Sequence, residues 1–159
     1  MYGRLDKRGW SAEWRMHMDK AFLFLHLVAS IGMGIYLLLP FLVGRLAGPA
    51  AQSQVGYAGL LASANRVGMY LLVVQLLTGG YLLQTADYSV LWMVLIVLAF
   101  LAVAAFTGMM VKPLKRYKET VQQGQSGKAE YGKIRLFSTL AGACFLIIIF
   151  LMKFPELFV

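Results

Sequence analysis

Polar and apolar positions fall in long blocks along this chain. Four runs contain no Asp, Glu, Lys or Arg: 21–44, 67–86, 88–111 and 136–152. A helix needs about 17–25 consecutive apolar residues to cross the hydrocarbon core of a bilayer. Each run therefore predicts a transmembrane helix. The expected architecture is an all-α integral membrane four-helix bundle, with an N-terminal interfacial tail over 1–20 and one transmembrane domain over 21–159. The first run is longer than the roughly 7–15 apolar residues of a signal-peptide core, follows a tail containing acids, and lacks a small-residue cleavage site, so it reads as a span.

The segments between the runs refine this picture. Trp10 and Trp14 suit a short helix at headgroup depth, beginning near Ser11. Gly48-Pro49 should break the chain after the first span, and residues 51–65 are expected to be helical and continuous with the second. A turn near 85–89 makes spans two and three antiparallel neighbours. Residues 112–135 read as the one sizeable polar loop, with Pro113 ending or kinking the third helix and Gly124 and Gly127 marking a flexible middle.

Small residues supply the expected seams: Ser30 and Gly34, Ala104 and Gly108, Ser138 and Gly142. Lipid offers no hydrophobic force between helices, so close approach through such pairs must hold a bundle together. Gln75, alone among apolar neighbours, needs a partner and should face the interior with Gly68, Leu72 and Gly79.

Composition agrees with a membrane protein: the mean hydropathy is +0.69 and only 14% of residues are charged, against roughly a quarter in soluble domains. The net charge of +8 sits in the tail and connections, where it points to lipid headgroups and not to nucleic acid. The single cysteine, Cys144, excludes an intramolecular disulfide and a CxxC pair. Basic residues number nine in the first and third connections against six in the tail, second turn and C-terminus. The positive-inside rule then predicts a multi-pass cell-membrane protein with the third loop in the cytoplasm and both termini outside.

Two histidines carry most of the candidate chemistry. His26 lies roughly 8 Å inside the first span, at about 1.5 Å per residue. Either it hydrogen-bonds across the bundle, to Gln84, Tyr81 or Thr78, or it is an axial ligand to haem b in the bundle core. Met93, at matching depth on span three, and Lys153 are the candidate second ligands; Lys153 or Lys20 would also suit outward-pointing propionates. His17 lies between Met16 and Met18, a thioether and imidazole set that suits copper(I). Tyr36, Tyr70 and Gln75 are candidates for a quinone or proton path. No span contains an acid, and no paired-carboxylate, Ser-His-Asp, P-loop or zinc pattern occurs.

The Leu25-His26 pair, the small-residue stretch after it, then Tyr36 and Pro40, resemble the opening helix of HemJ-type protoporphyrinogen oxidases and of CopD-like copper-resistance membrane proteins. The segment GKIRLFSTLAGACFLIIIFLMKFP resembles the HemJ-type last helix, closing on Lys153-Phe154-Pro155. The resemblance implies a four-helix membrane bundle with His26 as haem ligand. It departs in the third helix, where Ile96 stands about where the family has a functional lysine and no later histidine follows. The asparagine–glutamate–proline signature before the last helix is replaced by Leu136-Phe137-Ser138-Thr139. The expected role is redox or haem handling, such as electron transport, without the complete oxidase reaction. The alternatives are a non-catalytic subunit or assembly factor of a larger membrane complex, or a homo-oligomer of this chain, and a copper-handling membrane protein.

Overall fold

The computed structural model describes residues 12–47, 51–83 and 88–158. Five helices carry the described residues: α1 (Ala12–Met33), α2 (Ile35–Gly44), α3 (Ala51–Leu83), α4 (Val90–Gln122) and α5 (Lys128–Lys153). Single 3-10 turns follow α2, at Arg45–Ala47, and α5, at Pro155–Phe158. With α1 and α2 counted as one broken span, four helices among the described residues are long and apolar enough to cross a membrane. The protein is a multi-pass integral membrane four-helix bundle.

Buried positions recur at alternating steps of three and four. In α3 they are Ala58, Leu61, Asn65, Gly68, Leu72 and Gln75; in α4 they continue from Val103 through Thr107, Met110, Leu114, Tyr117 and Val121. In α5, Ile134, Ser138, Ala141, Phe145 and Ile148 keep the same beat. This spacing is the seam of helices packed side chain into groove. The other faces expose Leu, Val and Phe, as lipid contact requires.

Several local expectations are corrected. The first span is not one helix. At Gly34 the amide bonds to Ile31 O at 3.0 Å, three residues back, and the ladder restarts with Leu37 N to Gly34 O at 3.1 Å. Below this break α1 packs chiefly on α3, whereas α2 beyond it packs on α5. Pro40 deprives the Tyr36 carbonyl of its usual i+4 donor. That carbonyl meets Gly142, where a Cβ would lie 3.0 Å from the oxygen, so α2 and α5 touch through a glycine.

Pro113 neither ends nor kinks the third span out of helix: α4 runs on to Gln122, with Pro113 itself buried. Most of 112–135 is therefore helix, and the connection shrinks to 123–127. Gly124, at φ +73°, closes α4, with Gln125 N bonded to Thr120 O and Gly124 N to Val121 O. These are the paired bonds of a Schellman ending, which favours glycine at that position. Ala104 is exposed and Gly108 only half-buried, so this pair makes no helix seam; Val103 and Thr107 take that place. Residues 51–65 are helical and continuous with the second span. The readings at Gly48-Pro49, over 1–11, at Gln84 and at most of the 85–89 turn lie outside the described residues.

Two ends of the bundle are pinned by polar contacts. At one, Ser89 caps α4 by accepting from Trp92 N, its hydroxyl donates to Phe158 O, and Trp92 Nε1 donates to Leu151 O at 2.7 Å. At the other, basic end, the Tyr117 hydroxyl lies 2.6 Å from the Leu46 carbonyl and donates to it. The extended parts of α3, α4 and α5 thereby close over the end of α2.

Candidate functional site

The change of partner at Gly34 has a consequence for the half of the bundle where the chain enters. There α1 leans on α3 and away from α5, and a cleft opens whose walls come from α1, α3, α4 and α5. Two cavities fill it, of about 380 and 510 Å³. They share His26, Gln75, Phe100 and Met152 in their walls, so they meet at the first-helix histidine. Elsewhere the walls are mostly apolar, from Leu76 and Trp92 on one side to Leu37, Phe145 and Ile148 on the other.

His26 is held at both ring nitrogens. Thr78 donates its hydroxyl to Val74 O at 2.8 Å, which leaves Thr78 Oγ1 to accept from His26 Nδ1–H at 3.0 Å. Nε2 then carries the lone pair, and Gln75 Nε2 donates to it at 2.9 Å. The other Gln75 N–H goes to Ser30 Oγ at 2.6 Å, and Ser30 donates to the His26 carbonyl at 2.8 Å. One proton arrangement satisfies all these bonds together, with neutral histidine protonated at Nδ1. Gln75 Oε1 is left buried without a partner. Gly79 is the floor beneath the ring: a Cβ there would lie 3.1 Å from His26 Cε1.

Of the two expected partners among the described residues, Tyr81 and Thr78, His26 meets Thr78. Tyr81 instead donates to Asp19 Oδ1 at 2.9 Å and stacks on Phe22 at 4.1 Å, which settles an acid near the membrane boundary. Gln75 faces the interior as its isolation in an apolar run predicted.

The remaining candidates divide. Lys153 lines the larger cavity together with His26. Met93 lines neither cavity and packs against the core. Met152, which sequence reading passed over, lines both. Met16 and His17 are exposed and Met18 half-buried, at successive positions of α1. Successive helical residues point about 100° apart, so these three do not converge on one ion. Among the described residues no three His, Cys, Asp or Glu side chains cluster as metal ligands. Ile96, where the HemJ-type lysine is expected, stands in the cleft wall.

Haem b is the group that the resemblance to HemJ-type proteins would place on the first-helix histidine. An iron-ligating histidine ordinarily donates its second N–H to a neighbouring acceptor, which fixes the tautomer. Thr78 is placed to supply that acceptor, which would leave Nε2 as the atom to coordinate. The fit carries one condition: Gln75 must give up its bond to Nε2. No protein-family model, curated protein or solved structure matches this chain.

Proposed function

We propose that this protein binds haem b in the cleft lined by α1, α3, α4 and α5, through Nε2 of His26, and serves redox or haem handling within the bilayer. The observation that carries the proposal is the position of His26 where the two cavities meet, with its Nδ1–H turned onto Thr78. Bound haem supplies one-electron chemistry at iron. The chain's own residues do the rest. Thr78 orients the imidazole, Gly79 makes room for it, and the apolar walls admit a flat hydrophobic ligand and exclude water. Lys153, lining the same cavity as His26, offers a cation for a propionate. The resemblance of the first and last helices to HemJ-type and CopD-like proteins supports the same reading. An oxidase reaction of the HemJ type is not proposed, since Ile96 offers no charge or proton in the cleft wall.

Hemin titration into protein held in nanodiscs tests the proposal. Wild type should give a saturable Soret shift, and His26→Ala should lose it. Gln75→Ala should bind as tightly as wild type or up to about tenfold more tightly, because one competing hydrogen bond, worth roughly 0.5–1.5 kcal/mol, is gone. Binding unchanged in His26→Ala would overturn the assignment.

A further inference from the structure

The basic end of the bundle contains a third cavity, of about 450 Å³, between α4 and α5. It is divided by chemistry along the membrane normal. Its inner part is apolar, walled by Gly108 and Met109 of α4 and Phe137 of α5. Its outer part carries Lys112, Arg116 and Lys133, with one carboxylate, Glu130. Lys112 directly follows the apolar run that ends at Val111, and Lys133 lies three residues before the run that starts at Leu136. The change from apolar to cationic wall therefore falls at the bilayer boundary.

Two further facts concern what the cavity takes. Lys112, Arg116 and Lys133 are exposed, and none forms an ion pair among the described residues; the one surface pair on this part of α4 joins Lys115 to Glu119 at 3.9 Å, outside the cavity. A Cβ built on Gly108 meets nothing within 4 Å, so the glycine leaves an open notch below the cations. Three cations against one carboxylate, above an apolar notch at the membrane boundary, match a phosphate headgroup with an acyl chain descending beside α4.

We propose that this groove binds an anionic glycerophospholipid, its phosphate held by Lys112, Arg116 and Lys133 and its acyl chain lying over Gly108 against Met109 and Phe137. The site is separate from the His26 cleft and does not depend on haem binding.

Native mass spectrometry of detergent-solubilised protein, titrated with phosphatidylglycerol or phosphatidylcholine of the same acyl chains, tests this. Wild type should retain phosphatidylglycerol in preference to phosphatidylcholine. Since each cation near an anionic lipid is worth about fivefold, Lys112→Gln/Arg116→Gln/Lys133→Gln should lose tenfold or more of that affinity. Lys115→Gln/Lys118→Gln/Lys128→Gln removes equal charge outside the cavity and should lose little. Gly108→Leu fills the notch with the charges intact and should weaken phosphatidylglycerol retention. Inorganic phosphate should not displace the lipid at equal concentration. Equal losses in the two triple variants, no lipid preference in wild type, unaltered binding in Gly108→Leu, or displacement by phosphate alone would each overturn the proposal. Circular dichroism confirms that each variant is folded.

Discussion

Thr78 uses one hydroxyl twice, donating to the helix carbonyl behind it and accepting from His26. Valine has the same shape without the hydroxyl, and so neither donates nor accepts. Thr78→Val should lower thermal stability in detergent by about 1–2 kcal/mol, the cost of a buried N–H left without an acceptor, and Thr78→Ser should recover most of it. Equal stability of the two variants would show that the bond does not hold the ring. At this scale His26 and Gln75 were legible because each is a polar residue in a charge-free run, which must find a partner. Depth, counted in residues, also brought Thr78 into the candidate set. What it could not supply was rotation about the helix axis. Met93 has the right depth on α4 but turns toward the core, and Met152 stands at the cleft from α5.

Among the elements, the decisive event is the break at Gly34, which hands the first span from α3 to α5. Gly34 and Pro40 are visible in the sequence, but which helix each half meets depends on tertiary contacts. Pro113 teaches the reverse lesson. It removes one backbone bond, yet α4 continues because Leu114, Tyr117 and Val121 beyond it are buried on the bundle seam. Packing outweighs the local penalty there, in a stretch whose charges mask the buried three-and-four spacing. Gly142 and Gly132, both in α5, give a contrast. Gly142→Val places its Cβ 3.0 Å from the Tyr36 carbonyl and should destabilise by about 1–3 kcal/mol through overpacking. Gly132→Ala meets nothing within 4 Å in an exposed helical position and should stabilise by about 0.5–1 kcal/mol. Thermal unfolding of the two variants reads both signs.

For the molecule as a whole, four membrane-crossing helices followed from the charge-free runs alone, since bilayer thickness sets their length. The lengths beyond the membrane did not. α3, α4 and α5 extend past the basic end and bury Leu46, Ala58, Leu114, Tyr117 and Ile134 in a cap. Tyr117→Phe should therefore loosen this cap, raising proteolytic cleavage near 123–127 while leaving the His26 cleft intact. The distribution of basic residues further predicts that a reporter inserted at Gln125 is cytoplasmic; an external reporter there would reverse the orientation.

The claim on which the functional account stands is that the cleft at His26 holds haem b. Its most direct test is the dithionite-reduced minus oxidised visible spectrum of protein purified from cells supplied with a haem precursor, with wild type beside His26→Ala. Wild type should show a Soret band and sharpened visible bands on reduction, and His26→Ala none. A colourless wild-type protein, or equal bands in the two proteins, would contradict it.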